Sequence, residues 1–246
     1  MSEQWTTSED PPEEASSYAA RPSHEWARTH GDPVEMLTIS REFGAGGSDL
    51  ARVLGAKLQW PVLDRDLVHL VAERLHLEPR HIEPLDEQCP SLFARLVSSA
   101  VMMTPPEVPV DVESTAVLNP DAVAEAARAA MLAAAQRPPV IIVGHGAQAL
   151  FRGRTGALHV RLVAPLDVRL DRICGREGCN RPAAATIARR IDDVRRAYVR
   201  RYYHVDVRDP CLYDLQFNTG HVRIEEIADF LGTMITARRG ALAEGR

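Results

Sequence analysis

A short apolar run leads directly into a glycine cluster and then into a helical pattern in the segment MLTISREFGAGGSDLARVLGAKL, residues Met36 to Leu58. The apolar run suits a short buried strand, and leucine and valine recur at helical spacing after the glycines. Glycines let the backbone turn tightly and bring several N–H groups together, and the start of a helix adds partial positive charge. The segment therefore predicts a phosphate-binding loop, or otherwise a tight strand-to-helix turn with no ligand.

The loop departs from the usual phosphate-binding pattern G-x-x-x-x-G-K-[ST] at two positions. Gly47 stands where the pattern has its lysine, and Arg41 stands where it has its first glycine. Gly46 and Ser48 match the pattern, and Ser48 keeps the hydroxyl that such loops use to bind magnesium. The missing lysine raises the question of which group supplies its charge, and we hypothesise that Arg41 does.

The rest of the chain alternates strands with helices, which predicts a parallel sheet covered by helices on both faces. Strands are predicted near residues 37–39, 60–63, 140–143, 158–163 and 212–217, and helices near 50–58, 64–75, 91–103, 121–136, 165–174, 184–203 and 224–235. Residues 1–34 are polar and acidic and predict a disordered tail before one domain at 35–240. Ligands of such sheets lie beyond the carboxyl ends of the strands, so the glycine loop, Asp64, residues 144–146 and Asn218 are expected to converge.

One later helix carries regularly spaced arginines. Arg189, Asp193 and Arg196 are separated by four and three residues, which places them on one helical face. Guanidinium groups beside a phosphate site favour phosphoryl transfer, in which spread negative charge must be neutralised. The alternative is a solvated face held by ion pairs between neighbouring turns. Two further arginines, Arg176 and Arg181, lie in the break before this helix, and a loop there can close over a nucleotide.

Five segments in the same order resemble the cytidylate-kinase-like family, which comprises P-loop proteins related to bacterial CMP kinase. These segments are ISREFGAGGSDLARVLGAKL, PVLDRDLV, VIIVGHGA, IDDVRRAY and YDLQFNTG. The resemblance implies a three-layer α/β P-loop fold of the adenylate-kinase type, with a helical acceptor-binding insert at about 64–136 and a short lid at about 175–183. The implied reaction is transfer of the γ-phosphoryl group of ATP to CMP or dCMP, with Mg2+ as cofactor.

The resemblance also implies roles for individual residues. The residues implied to hold the ATP phosphates are Gly44, Ala45, Gly46, Gly47, Ser48 and Asp49, with Ser48 as the metal ligand. The residues interpreted as catalytic are Arg41, Arg189, Asp193 and Arg196, and those interpreted as binding the acceptor or closing the lid are Asp64, Arg65, Arg176 and Arg181. His145 replaces an arginine that relatives commonly carry in the sequence GRGA. These departures leave two alternatives, a nucleotide-binding protein without turnover and a kinase for another small acceptor.

Composition limits the partners that can be expected. The chain of 246 residues has a formal net charge of -5, which argues against a nucleic-acid partner. Its four cysteines include no C-x-x-C pair, which argues against a zinc site and favours reduced thiols. No apolar stretch is long enough to span a membrane, and no signal-peptide pattern is seen. We therefore expect a cytoplasmic enzyme that acts on small nucleotide substrates, with no nucleic-acid or membrane partner, and leave its oligomeric state open.

Overall fold

Five parallel strands form one sheet in the computed structural model, which describes residues 32–64 and 120–244. The strands are β1 (Met36–Arg41), β2 (Val62–Leu63), β3 (Val140–Val143), β4 (Ala157–Val163) and β5 (Leu215–Asn218). Their order across the sheet is β2-β3-β1-β4-β5, so β1 is the central strand and pairs with β3 on one side and β4 on the other. Because the strands are parallel, their carboxyl ends share the edge at which α/β proteins bind ligands.

Six α-helices and one 3-10 turn accompany the sheet within the described ranges. They are α1 (Gly47–Leu58), α2 (Pro120–Ala135), α3 (Ala147–Leu150), α4 (Leu166–Glu177), α5 (Arg181–Tyr203), the 3-10 turn (Pro210–Leu212) and α6 (Ile224–Glu244). Helix α1 follows β1 through the glycine loop, and α5 has 23 residues. In this described part of the chain, no helix combines the length and the apolar character needed to cross a membrane.

Side chains alternate across β1 into two hydrophobic layers, as expected for a strand. Leu37 and Ile39 pack with residues of α1 and with Leu231 of α6. Met36 belongs to the opposite layer, together with Met131 of α2. The sheet therefore has helices on both faces, which confirms the predicted three-layer α/β fold.

Several element boundaries differ from the sequence prediction. Strand β2 begins at Val62 instead of residue 60, and the side chain of Trp60 is buried just before it. Strand β5 begins at Leu215 instead of residue 212, because Asp209 caps the 3-10 turn and accepts a hydrogen bond from the Cys211 N–H at 2.9 Å. The predicted tail before residue 32, the predicted helices at 64–75 and 91–103, and most of the predicted acceptor-binding insert lie outside the described residues.

The connection between α4 and α5 is shorter than predicted. It comprises only residues 178–180, whereas the sequence suggested a break from 175 to 182. Gly178 ends α4 in the left-handed conformation, with φ +65°, and its N–H donates to the Cys174 carbonyl. Asn180 then caps α5, because its side-chain oxygen accepts a hydrogen bond from the Ala183 N–H at 3.0 Å. The left-handed Gly178 and the Asn180 cap therefore join α4 and α5 through a short connection. The role of this segment as a lid stays a prediction.

The Asn180→Ala variant should lose about 1 kcal/mol of stability, because a first-turn N–H of α5 loses its side-chain acceptor. The Asn180→Asp control keeps an oxygen acceptor and should stay within about 0.5 kcal/mol of the wild type. The free energy of unfolding, measured by urea denaturation, checks both values. An alanine variant as stable as the aspartate variant would show that this cap does not stabilise α5.

Candidate active site

The glycine loop, residues 42–46, turns the chain between β1 and α1. Gly44 and Gly46 have φ values of +82° and +85°, a left-handed conformation that glycine adopts without strain. Helix α1 begins at Gly47, and the N–H groups of its first turn have no carbonyl partner within the helix. These donors, together with the positive end of the helix dipole, make the start of α1 suited to phosphate oxygens.

Three consecutive carbonyl groups of the loop accept hydrogen bonds from side chains outside it. The bonds run from Arg169 Nη1 to the Phe43 carbonyl (3.3 Å), from Arg172 Nη1 to the Gly44 carbonyl (3.3 Å) and from Thr219 Oγ1 to the Ala45 carbonyl (3.0 Å). In a trans peptide group the C=O and the following N–H point in opposite directions, so the N–H groups of Gly44 and Gly46 face away from these side chains. The Ala45 N–H donates to the Glu42 carbonyl at 3.1 Å. The surroundings therefore preorganise the loop.

Helix α5 holds the loop through Asp192. Its carboxylate accepts hydrogen bonds from the Phe43 N–H at 2.8 Å and from Arg169 Nη1 at 2.5 Å. The Nε atom of Arg169 also lies 3.6 Å from the Glu42 carboxylate. One aspartate therefore joins the backbone of the loop to α4 and α5.

Arg195 is the second residue of α5 that reaches the loop. Its Nη1 donates to the Arg41 carbonyl at 3.3 Å, and its guanidinium carbon lies 5.7 Å from the centre of the Phe43 ring. Arg176 of α4 approaches the same ring, with its guanidinium carbon 5.1 Å from the ring centre. Both distances fall in the range of cation–π contacts, so Phe43 brings two arginines beside the loop.

The predicted arginine face of α5 is displaced by one residue from the face that contacts the loop. Asp193 pairs with Arg196 at 3.0 Å, with 49% and 38% of the respective side chains exposed, and Arg189 is exposed. The structure therefore brings Asp192 and Arg195 to the loop, whereas Arg189, Asp193 and Arg196 lie on the adjoining, more exposed face.

The sequence contains a signal for the face of α5 that contacts the loop. The residues of this helix that are buried are Ala184, Ala188, Ile191, Val194, Tyr198 and Val199. With about 100° of rotation per residue, they occupy one arc of the helix, with Arg195 inside the arc and Asp192 at its edge. The period of the apolar residues, and not the spacing of the charges, indicates which carboxylate faces inward.

Of the remaining predicted site residues, Arg181 pairs with helix α4 instead of the loop. Arg181 pairs with Asp167 of α4 at 2.7 Å and also with Asp171, and half of its side chain is exposed. These ion pairs tie Arg181 to α4 beside the α4–α5 connection. Arg65 lies outside the described residues.

Three polar residues lie at the carboxyl ends of β1, β2 and β3. Arg41 ends β1, and its Nη2 lies 3.6 Å from the carboxylate of Asp64, with 15% and 18% of the side chains exposed. His145 follows β3, and its Nδ1–H donates to the Val143 carbonyl at 3.1 Å. Burial, followed by the charges of Arg41 and Arg195, lowers the pKa of His145 to about 3. The imidazole is therefore neutral at physiological pH.

The two arginines of this region repel each other. Burial lowers the pKa of Arg195 to about 9, with Arg41 as the next cause, while Asp192 and Asp64 act in the opposite direction. Both guanidinium groups remain charged at neutral pH. An anionic ligand beside them would relieve the repulsion between two like charges that are held away from water.

A cavity of about 380 Å³ opens beside the start of α1. It is lined by residues of α1, α4 and the beginning of α6: Gly46, Asp49, Arg52, Val53, Arg172, Arg223, Ile224 and Glu225. Its volume lies within the range of small-molecule sites. Because Gly46 belongs to both the loop and the cavity, the cavity adjoins the loop.

Ser48, the predicted metal ligand, is exposed in the first turn of α1, next to Asp49. Within residues 32–64 and 120–244, no group of three or more His, Cys, Asp or Glu side chains gathers in a way that could hold a metal ion. A magnesium ion fits such a surface when ligand phosphates and water supply most of its oxygens, because Mg2+ retains several waters and needs few protein ligands.

A central parallel strand that runs through a glycine loop into a helix is an arrangement that phosphate-binding α/β proteins share, P-loop proteins among them. A family model described as the cytidylate kinase-like family matches residues 36–221. The chain therefore belongs to the cytidylate kinase-like family, which confirms the resemblance seen in its motifs.

Similar proteins match this chain over different extents. A cytidylate kinase of Haloquadratum walsbyi is 34% identical over 94 residues, which are 38% of this chain and 49% of that protein. A cytidylate kinase of Sulfolobus acidocaldarius is 32% identical over 99 residues, 40% of this chain and 54% of that protein. The chain thus matches about half the length of these curated relatives. A solved structure of an uncharacterized protein from Eubacterium ventriosum has a TM-score of 0.58 at 18% identity and shares the fold over 82% of this chain and 98% of its own.

The Asp192→Ala variant should lose about 2 kcal/mol of stability or more, because Arg169 and the Phe43 N–H lose their acceptor in a mostly buried place. The Asp193→Ala control removes only a half-exposed ion pair with Arg196 and should change stability by less than about 0.5 kcal/mol. Equilibrium unfolding in urea measures both losses. Equal losses would show that the inward face of α5 is assigned wrongly.

The low pKa of His145 should make stability depend on pH. Between pH 6.5 and about 3 the unfolded chain binds a proton at His145 and the folded chain does not, so stability falls as the pH is lowered through this window. The His145→Asn variant should reduce this dependence by up to about 1.4 kcal/mol per pH unit, because asparagine does not titrate and tolerates positive φ.

The control for this measurement is His204→Asn. His204 has a φ of +55°, close to the +56° of His145, but it is exposed at the end of α5. Its replacement measures the effect of asparagine at a positive φ outside the site, and should change the free energy of unfolding at neutral pH by less than about 0.5 kcal/mol. Parallel profiles for the wild type and His145→Asn would contradict a buried, neutral His145.

Proposed function

We propose that this protein is an ATP-dependent kinase that transfers the γ-phosphoryl group to CMP, dCMP or a similar small acceptor. The observation that carries the proposal is a preorganised glycine loop beside two mostly buried guanidinium groups, those of Arg41 and Arg195. Phosphoryl transfer depends mainly on positioning and on neutralisation of charge, and this arrangement suits both. Membership of the cytidylate kinase-like family supports the choice of acceptor.

The donor nucleotide is proposed to lie along the loop and the adjacent cavity. The residues proposed to contact its phosphates are Gly44, Ala45, Gly46, Gly47, Ser48 and Asp49. The N–H groups of Gly44 and Gly46 and the first-turn donors of α1 can bind phosphate oxygens, and the cavity beside Gly46 can take the nucleoside. Ser48 would hold a magnesium ion, which when bound draws negative charge from the phosphate oxygens.

Charge on the transferred group is proposed to be neutralised by arginines of β1 and α5. Arg41 is already at the strand end, and Arg195 is already held at the loop. Arg189 and Arg196 extend from the exposed face of α5, where Asp193 orients Arg196 at 3.0 Å, and they can turn toward a bound nucleotide. No general base is needed for a nucleotide acceptor, because its phosphate is already an anion.

The acceptor is proposed to approach the ends of β1 and β2. Asp64 lies there beside Arg41, and Arg65 follows it in the sequence. Arg176 and Arg181 flank the α4–α5 connection and are proposed to close over the bound nucleotides. Arg176 is already beside Phe43, whereas Arg181 would have to leave its partners on α4.

A second candidate function is nucleotide binding without turnover. The neutral His145 stands where relatives commonly carry a charged arginine, so the strand ends have one cation fewer. A protein of this kind would bind ATP through the same loop but would not release ADP when an acceptor is added. Measurement of ATP binding and ADP release on one preparation separates the two functions.

The full-length protein should release ADP from ATP and Mg2+ faster when CMP or dCMP is present than when other nucleoside monophosphates or no acceptor is present. A coupled assay of ADP release measures this difference. ATP binding without stimulation by any acceptor would contradict the kinase proposal and favour the second function. Stimulation only by a different small phosphorylated or hydroxylated compound would correct the acceptor class.

The Ser48→Ala variant should lower kcat and raise the Mg2+ concentration needed for half-maximal activity by about tenfold or more. The reason is that the proposed metal position loses its protein oxygen. The Ser48→Thr control keeps a hydroxyl at the same position and should retain most of the activity. Titration of activity with Mg2+ at saturating ATP compares the two variants. Indistinguishable curves would remove Ser48 from the metal site.

A further inference from the structure

We infer that Arg41 takes the place of the lysine that the usual phosphate loop carries at the position of Gly47. The cation of the loop then extends from the end of β1 instead of from the start of α1. In this arrangement Arg41 binds the phosphate that a lysine at position 47 would bind, and the two side chains exclude each other. The inference rests on the proposed function and deepens it, because it identifies the group that contacts the donor phosphates.

The stem of Arg41 covers the place where a side chain at position 47 would begin. A Cβ atom at Gly47 would lie 2.7 Å from Arg41 Cγ, 3.0 Å from its Cβ and 3.1 Å from its Cδ. Carbon atoms that are not bonded make favourable contacts at about 3.5–4.0 Å, so a side chain at position 47 must displace Arg41. The overlapping atoms are in the middle of the side chain, so rotation of its tip does not relieve the overlap.

The head of Arg41 lies against the end of β3. A Cβ atom at Gly144 would lie 1.8 Å from Arg41 Nη1, and Gly144 has a φ of +78°. The other terminal nitrogen, Nη2, faces Asp64 at 3.6 Å. Glycines at two positions therefore make room for one arginine, Gly47 for its stem and Gly144 for its head.

The guanidinium group of Arg41 is suited to receive an anion. Its distance of 3.6 Å from Asp64 exceeds that of a hydrogen bond, so the pairing is not a close one. Burial lowers the pKa of Arg41, and Arg195 places a second positive charge nearby. A phosphate oxygen on the glycine loop would add a charge-assisted hydrogen bond that the longer pairing with Asp64 does not make.

The steric exclusion explains both departures from the usual pattern together. That pattern has glycine at the position of Arg41 and lysine at the position of Gly47. The stem of Arg41 occupies the space beside Gly47, and a side chain at position 47 requires that stem to move away. Replacement of both residues at once converts REFGAGGS into GEFGAGKS, which satisfies the usual pattern.

The test compares the affinity for ATP of four full-length proteins, measured by calorimetry. Arg41→Met keeps the stem but removes the charge, and should weaken ATP binding by about tenfold to a hundredfold. Gly47→Lys alone should also weaken it, because the lysine displaces Arg41. The double variant Arg41→Gly/Gly47→Lys should bind ATP more tightly than Gly47→Lys or Arg41→Met and within about tenfold of the wild type.

Two controls exclude a general loss of charge and misfolding as causes of a lower affinity. Arg190→Ala removes an exposed arginine of α5 that has no assigned role, and should leave the affinity unchanged. Thermal unfolding of every variant shows whether it is folded. If the double variant does not fold, Arg41→Lys takes its place, and it should bind ATP more tightly than Arg41→Met because it keeps a positive charge.

The outcomes separate this inference from the proposed function. Undiminished ATP binding by folded Arg41→Met, or a folded double variant that binds no better than Gly47→Lys, would overturn the inference. ATP binding by the wild type without phosphorylation of any acceptor would end the kinase proposal, while the affinities of the variants would still decide the role of Arg41. A wild type that does not bind ATP would overturn both.

Discussion

The candidate site depends on the direction in which the peptide groups of the glycine loop face. Side chains from α4, from α5 and from the connection after β5 fix that direction through the loop carbonyls and the Phe43 N–H. Asp192 is central to this set, because it binds the loop backbone and also Arg169, which binds the loop itself. A loop held in this way meets an anion with its donors already aligned, so little conformational entropy is lost on binding.

Much of the fold follows from patterns that span only a few residues. The apolar runs of β1, β3 and β4 are buried, and the glycines after β1 end it and begin α1, so local sequence determines both. Boundaries were less predictable where a cap competes with the continuation of an element. Asp209 creates a 3-10 turn in place of the first residues of a strand, and Asn180 starts α5 earlier than its apolar pattern indicates.

The site was predicted less completely than the fold. The glycine loop and Arg41 could be predicted because they lie within one short segment. Asp192, Arg195 and Thr219 contact that segment from more than a hundred residues away, so only tertiary packing brings them there. Asn218 was expected to lie near the loop at this edge of the sheet, and its neighbour Thr219 makes a hydrogen bond to it. The register of α5 followed its buried apolar face, which outweighs the spacing of exposed charges.

The overlap between the stem of Arg41 and position 47 restricts how such a sequence can change over generations. A lysine that arises at position 47 enters a space that the stem of Arg41 already fills. Loss of Arg41 while Gly47 remains removes a cation, and no other side chain replaces it at these two positions. The two arrangements of the loop are therefore separated by intermediates that are worse than either. We therefore expect lineages that carry one arrangement to keep it, and the residues at positions 41 and 47 to change together.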